Sequence, residues 1–195
     1  MRRGAGKNPE SPMLLSILIP LYNEEEFVEA LLQRVLAAPL PDGMEREIVI
    51  ADDGSTDGSL ELVKDMAARH PEVIRVLETP RNQGKGAAIR RAAAQARGQF
   101  SIIQDADLEY DPRHYDELLA PIKDDIADVV YGSRFLGGAR RPILFWNMVA
   151  NKILTFLTNL LYNNILSDME TGYKVFRREL VKDIPLHAHR FEFEP

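Results

Sequence analysis

The chain has 195 residues, 45% of them hydrophobic and 28% charged, with a formal net charge of −6. This is ordinary globular composition, with enough chain for one good-sized domain and a real core, and the negative balance argues against nucleic acid as a partner. There is no cysteine, which excludes a disulfide framework, thiolate catalysis and thiolate-bound zinc.

Residues 1–13 open with M-R-R-G-A-G-K-N-P-E-S-P, a polar stretch rich in Gly and Pro. No apolar run follows the two arginines, so the stretch does not read as a secretory signal. It is expected to be a disordered arm ahead of a domain at 14–195. No run of 18 or more residues is free of polar groups, so a membrane-spanning helix is not evident.

Residues 15–21 form a compact apolar run that reads as a first strand, and 25–38 have helical spacing with Phe27, Val28, Leu31, Leu32, Val35 and Leu36 on one side. Pro39 and Pro41 close that helix. A second strand is expected at 47–51. A second helix follows at 57–70, with Leu60, Leu62, Val63, Met66 and Ala67 inward and Ser55 or Asp57 as its cap. A third strand at 73–77, an alanine-rich helix at 86–97 ending at Gly98, and strands at 100–104 and 127–131 complete the series. Strands alternating with helices of this length imply βαβ units, a mainly parallel sheet and an α/β fold.

Ligands of such sheets bind at the carboxyl ends of the strands. In this chain those ends read P-L-Y-N-E-E (20–25), D-D-G-S-T-D-G-S (52–59), R-N-Q-G-K-G (81–86), D-A-D-L-E (105–109) and G-S-R-F (132–135). All are polar, and together they can form one site. Asp105, Asp107, Glu109 and Asp111 put four acids within seven positions, an arrangement that repels itself unless a cation sits among them. In extended backbone Asp105 and Asp107 point the same way. Hard oxygen ligands without nearby histidine suit Mg²⁺ or Mn²⁺, with Glu109 as a third or outer ligand. Asp111 precedes Pro112 and reads instead as the cap of the next helical turn. At Asp52-Asp53 a carboxylate can accept hydrogen bonds from a nucleobase or ribose, while Gly54 makes a strand-to-helix turn. Gly84 and Gly86 bracket Lys85; they permit close backbone approach to a ligand at a helix start, or simply make a turn. Neither a P-loop nor the G-x-G-x-x-G of dinucleotide-binding folds is present. Arg134 at a strand end suits phosphate, or pairs with one of the acids, and Arg140 and Arg141 follow in a basic loop.

In the segment 142–166, Asn147, Asn151, Thr155, Asn159 and Asn163 recur every four residues, a narrow polar stripe on an apolar rod. Two readings stand: a core helix, or a face that meets a membrane interface or a second subunit, with Trp146 and Lys152 near headgroups. Beyond it, D-M-E-T-G-Y-K (168–174) brings an acid and a base to a glycine turn. The histidines at 70, 114, 187 and 189 form no metal spacing that reaches the strand ends.

The ordered set P-x-Y-N-E, D-D-G-S-T-D-G, R-N-x-G-K-G, D-A-D and G-S-R-F resembles the family 2 glycosyltransferases, and within them the dolichol- or polyprenyl-phosphate hexosyltransferases. The resemblance runs from Leu15 to the chain end. It implies a three-layer α/β/α GT-A fold, a UDP- or GDP-sugar donor, a divalent cation, inversion at the anomeric carbon, and a polyprenyl or dolichyl phosphate acceptor met peripherally at the cytoplasmic face of a membrane. Carried over by position, Pro20, Tyr22 and Glu24 line the nucleotide pocket, and Ala51, Asp52 and Asp53 hold base and ribose. Gly84 and Lys85 join the donor site, and Asp105, Ala106 and Asp107 carry the metal that grips the diphosphate. Arg134 contacts donor or acceptor phosphate, while Thr171, Gly172 and Lys174 lie near the acceptor. Where mannose synthases of this group have glutamine, this chain has Glu109. The chain ends in F-E-F-E-P (191–195), inside a stretch similar to the family's F-x-F-E-P-E, which reads as a truncation. A soluble transferase acting on a saccharide, a nucleotidyltransferase and a non-catalytic nucleotide-sugar-binding module are the competing readings.

Overall fold

β1 (Met13–Leu21) pairs in parallel with β2 (Met44–Asp52) on one side and with β4 (Phe100–Ile103) on the other. The computed structural model describes residues 13–133, 145–163, 165–169, 171 and 173–182. β3 (Ile74–Leu77) adds in parallel outside β2, β6 (Lys174–Arg177) runs antiparallel beside β4, and β5 (Val129–Tyr131) pairs antiparallel with β6. The order is β3-β2-β1-β4-β6-β5, a mainly parallel sheet in which β6 alone runs against the others.

Helices cover both faces. Ile17, Ile19, Leu21, Ile48 and Ile50 point into one core, together with Val28, Leu31, Leu32 and Val35 of α1 (Val28–Ala37) and Val63 and Met66 of α2 (Ser59–Arg69). α4 (Tyr115–Lys123) joins the same layer through Leu118, Leu119 and Ile122. The alternate residues Leu18, Val49 and Ala51 face α3 (Lys85–Gln95), whose Ala88 and Ala92 let it lie close to the sheet. Period-2 alternation with both faces buried explains the continuous apolar runs of β1 and β2. The expected three-layer α/β/α arrangement is therefore present. α5 (Phe145–Tyr162) and α6 (Arg178–Lys182) complete the elements.

Several boundaries differ from expectation for local reasons. β1 starts two residues early because Met13 finds a partner in Met44. α1 starts at Val28 rather than at 25, because the N–H groups of Phe27 and Val28 both donate to the Glu24 carbonyl in a preceding turn. The N–H groups of Ile126 and Ala127 donate to the Pro121 carbonyl, which delays β5 to Val129. Ser55 does not cap α2; its hydroxyl accepts from the Asn23 N–H, and Asp57 Oδ1 takes the Ser59 N–H instead. Asp111 does cap as expected, accepting from the Arg113 N–H at the 3-10 turn Pro112–His114.

One buried charge was not anticipated. Glu47, 2% exposed, accepts from the Ser16 hydroxyl (2.6 Å), the Arg97 N–H (2.5 Å) and Nε (2.8 Å), and the Gly98 N–H (3.2 Å). It ties the α3–β4 connection to β1. A Cβ on Gly98 would lie 2.5 Å from the Leu14 carbonyl oxygen, so the connection can sit this close only as glycine.

Candidate active site

The sheet changes winding direction between β1 and β4, and that switch point is where open α/β sheets form their ligand crevice. The chain leaving β1 there is P-L-Y-N-E-E, and the chain leaving β4 is Q-D-A-D.

The first of these is laced to the segment after β2. Asn23, with φ +55°, accepts from the Thr56 N–H through Oδ1, while its own N–H donates to Ser55 Oγ. The Glu24 N–H donates to Ser59 Oγ, and the Glu25 N–H to Asp57 Oδ2, with Glu25 Oε2 accepting from the Gly58 N–H. Asn, Ser and Asp here serve as loop-to-loop acceptors. The result holds Tyr22 outward, 43% exposed, beside Glu24.

Asp52 and Asp53 lie deeper than the sequence suggested, 1% and 2% exposed. Asp52 Oδ2 accepts the Gly54 N–H, and both its oxygens take the Ser55 N–H. Asp53 Oδ2 accepts the N–H groups of Gln83 (2.9 Å) and Gly84 (2.6 Å), and Oδ1 is 3.4 Å from Arg91 Nη2. These bonds make the pair posts that hold the turn and the R-N-Q-G-K-G loop, a role beside the nucleobase contact expected of one of them. The cause is burial, since a carboxylate removed from water must take every nearby backbone donor. The Ala51 side chain packs in the core with Leu18 and Ala88 against α3. Gly54, at φ +77°, has a virtual Cβ 2.7 Å from the Arg81 backbone. Gly54→Ala is therefore expected to cost about 2 kcal/mol or more and to displace the 81–84 loop, measured as a drop in thermal midpoint together with weaker nucleotide binding.

Gly84, at φ +96°, delivers the chain into α3 so that Lys85 is its first residue. Lys85 Nζ stands 2.8 Å from Asp105 Oδ1, both side chains mostly buried. This pair joins two motifs that are separate in sequence, and no spacing rule would have found it.

β4 ends at Ile103, so Asp105 and Asp107 do not continue a strand and do not share a face by alternation. Asp107 Oδ1 instead accepts the Glu109 N–H at 2.8 Å, a short side-chain turn, and Ala106 between the two acids is buried. The two carboxylates still act on one neighbour. Burial, then the charges of Asp107, Asp57 and Asp105, push the Glu24 carboxyl above its ordinary value. Negative groups past the ends of β2 and β4 thus lie near enough to Glu24 to disfavour its charged form, a repulsion that an oxygen-ligated dication would relieve. The donor set, carboxylate oxygens with an adjacent ammonium for phosphate, fits Mg²⁺ or Mn²⁺ with the rest of its shell supplied by water and ligand. The Glu109 backbone supports Asp107, and among the described residues no three acids are already gathered as a metal cluster.

The acceptor-side expectations divide. Thr171 is fully buried and its hydroxyl donates to the Gly132 carbonyl, so it joins two segments. Lys174 lies on β6 with its ammonium 5.9 Å from the Tyr131 ring centroid. Arg134, Gly172, the basic loop with Arg140 and Arg141, Glu170, and the residues from 183 onward fall outside the described residues.

In α5 the middle of the polar stripe is on the buried side: Asn151 and Thr155 are 2% and 6% exposed, Asn159 is half-buried, and Asn163 past the helix end is exposed. Asn151 Nδ2 donates to Asp168, the Thr155 hydroxyl to Asn151 Oδ1, and Asn159 exchanges two bonds with the Leu166 backbone. The large apolar side chains are exposed, among them Trp146, Phe156, Leu160 and Leu161, the last at 76%. Among the described residues no helix is long and apolar enough to cross a membrane.

The model of glycosyl transferase family 2 matches residues 16–185. Over 188 residues the chain is 28% identical to the dodecaprenyl-phosphate galacturonate synthase of Rhizobium johnstonii, covering 96% of this chain and 55% of that protein. It is 28% identical to the dolichol-phosphate mannosyltransferase of Pyrococcus furiosus, covering 92% of this chain and 51% of that one. It is 32% identical to an undecaprenyl-phosphate 4-deoxy-4-formamido-L-arabinose transferase of Pectobacterium carotovorum, covering 90% and 52%. The chain thus spans about half the length of the curated relatives it matches. Among solved structures, glucosyl-3-phosphoglycerate synthase of Mycobacterium tuberculosis, in complex with Mn²⁺, UDP and phosphoglyceric acid, superposes with a TM-score of 0.67 at 22% identity, over 89% of this chain and 58% of that one. A mannosyltransferase of Pyrobaculum calidifontis, in complex with GDP-Man and Mn²⁺, gives 0.58 at 24% identity, over 92% and 49%. With the motifs in order and the sheet, crevice and family model in agreement, the chain belongs to glycosyl transferase family 2 and has the GT-A fold.

Proposed function

We propose that this chain carries the donor half of an inverting glycosyltransferase that moves a hexose from a UDP- or GDP-sugar to a polyprenyl or dolichyl phosphate. The observation that carries the reading is the largely buried Lys85–Asp105 pair at the β1/β4 crevice, with Asp107 two residues on and Glu24 near enough to feel both carboxylates. Such a cluster is costly unless a cation and a diphosphate complete it. Asp105 and Asp107 would hold Mg²⁺ or Mn²⁺, which when bound stabilises charge on the departing diphosphate.

The chain's own residues do the rest. Asp53 fixes the backbone of Gln83 and Gly84, so the start of α3 and the Lys85 ammonium are set beside the diphosphate position. Pro20, Tyr22 and Glu24 wall the crevice where the nucleotide would lie. Arg134 and Lys174 are assigned to phosphate contacts on the acceptor side. An acceptor phosphate oxygen attacks the anomeric carbon. The bond from that carbon to the diphosphate oxygen breaks, and its electron pair leaves with the nucleoside diphosphate. The phosphate nucleophile is already anionic, so no side chain needs to remove a proton from it.

The lipid acceptor is favoured over a saccharide by two observations. The curated relatives named above act, by their names, on dodecaprenyl, dolichol and undecaprenyl phosphates. α5 turns its apolar side outward, where Met148, Val149, Ile153, Phe156 and Leu157 form an open apolar surface beside Lys152. An apolar helix face edged by Lys152, with Trp146 near its start, suits the boundary of a bilayer. The test is transfer of labelled sugar from UDP- and GDP-sugars by the full-length protein, with polyprenyl phosphate in vesicles as acceptor. Label is expected in the lipid; transfer to saccharide alone would reject the lipid reading. Replacing Phe156, Leu160 and Leu161 together by serine is expected to reduce vesicle association at least about tenfold. Unchanged vesicle association with loss of a dimer would instead identify α5 as a subunit contact.

A further inference from the structure

Gln104 is the first residue past β4 and is fully buried. Its side-chain amide is used in every direction. Nε2 donates to the carbonyl oxygens of Asp105 (3.2 Å) and Tyr110 (3.3 Å), while Oε1 accepts from the hydroxyls of Tyr115 (2.8 Å) and Tyr173 (2.9 Å). An amide offers two N–H groups and two lone pairs, so all of its capacity is consumed. Its own N–H continues the sheet by donating to the Leu18 carbonyl.

These bonds have a consequence for the acids above them. Residues 105–110 have no helix or strand of their own. The Gln104 amide pins the first and last carbonyls of that stretch, which gives the loop between them a fixed span. Asp105 and Asp107 lie inside it. Through Tyr115 the same amide is fastened to α4, and through Tyr173 to the residue that leads into β6. The rings pack beside it: Tyr110 and Tyr173 have centroids 4.6 Å apart, and Tyr115 and Tyr173 6.1 Å apart. Burial raises both the Tyr115 and the Tyr173 hydroxyl from their ordinary values, so both stay protonated as donors. A leucine or methionine would fill the same volume and leave four polar partners unmatched. The choice of glutamine at this place therefore concerns geometry and not volume alone.

We propose that Gln104 is a positioning residue that sets the spacing of Asp105 and Asp107 and, through the Tyr173 hydroxyl, fixes their loop relative to the start of β6. The inference rests on the reading of Asp105 and Asp107 as the metal- and diphosphate-binding pair. It adds that their placement is imposed from below, by one amide shared between the donor loop and the segment next to the acceptor side.

The test uses the full-length protein and three variants: Gln104→Leu, Tyr173→Phe and Tyr115→Phe. Two readouts are taken without turnover, amide hydrogen exchange resolved by peptide and Mn²⁺ affinity by electron paramagnetic resonance titration. Gln104→Leu is expected to speed exchange over 105–110 by about tenfold or more, with β1 and β2 unchanged, and to weaken Mn²⁺ binding by about tenfold. Tyr173→Phe, which removes a single hydroxyl, moves both readouts a few-fold in the same direction and speeds exchange next to β6. It carries the test if Gln104→Leu does not fold. Tyr115→Phe is expected to loosen the start of α4 instead. The inference is overturned if folded variants bind Mn²⁺ as the wild type does, or if exchange rises evenly across the sheet with no change in Mn²⁺ affinity. A wild-type protein that binds no Mn²⁺ overturns the functional reading and this inference together; wild-type binding with unaffected variants overturns this inference alone.

Discussion

Asp107→Ala in the full-length protein is expected to lower Mn²⁺-dependent turnover of the sugar donor by about a hundredfold or more while leaving the thermal midpoint within a few degrees of the wild type. The two halves of this expectation come from different observations. Asp107 lies past the end of β4, outside the core, and its side chain accepts the Glu109 N–H in an exposed turn. Removing it also relieves Glu24, whose carboxyl is pushed up by burial first and by Asp107 next. The fold therefore has little to lose and some repulsion to shed. The chemistry has much to lose, because the remaining Asp105 is already paired with Lys85 at 2.8 Å and cannot hold a dication alone with the same grip. Asp111→Ala provides the contrast. Asp111 caps the 3-10 turn and pairs with Arg113, so its loss is expected to cost about 1 kcal/mol of stability and leave turnover near wild type. Equal loss of activity in both variants would show a general acidic-surface effect and not a site.

Glu47→Ala is expected to cost about 3 kcal/mol of stability, or a fall in thermal midpoint of roughly 6–12 °C for a domain of this size. The deletion leaves the Ser16 hydroxyl hydrogen and the Arg97 N–H and Nε–H groups without their acceptor beneath the sheet, while the Gly98 N–H keeps the Ser16 oxygen. The same residue predicts a pH dependence. Desolvation by burial acts to raise the Glu47 carboxyl, but hydrogen bonds from Ser16 and from the Arg97 backbone and side chain outweigh it, and the net direction is down. A group depressed in the folded state adds stability above its unfolded value, and that stability is lost as pH falls through the folded value. Wild-type stability should thus drop as pH is lowered from about 4.5, and Glu47→Gln should flatten that part of the curve. Urea titrations at pH 7 and at pH 3.5 compare the two; equal slopes with pH would remove Glu47 from the explanation.

Much of the fold was legible because the centres of β1, β2 and β4 are buried on both faces and so read as apolar runs between turn signals. β6 was not, since K-V-F-R is short and its pairing with β4 is decided by tertiary contact. The polar character of the strand ends was also legible, as were the turn roles of Gly54, Gly84 and Asp111. What the sequence could not convey is which carboxylates open to the crevice and which are consumed below it. The post role of Asp52 and Asp53 is invisible in the motif, because their partners at Gly54, Gln83 and Gly84 are identified only after folding. Gln104 and Glu47 were passed over for the same reason. In each case one weak signal was present, a polar residue set against a purely apolar run. For α5 the period-four stripe was read, but not its direction, and hydropathy alone would bury the wrong side.

Calorimetric titration of UDP and GDP into the full-length protein, with Mn²⁺ and again with the metal chelated, goes to the heart of this reading. One of the two nucleotides is expected to bind with Mn²⁺ and to lose at least about tenfold in affinity without it, since crowded carboxylates repel a bare diphosphate. Binding of either nucleotide that is indifferent to the cation, or no binding of either, would contradict it.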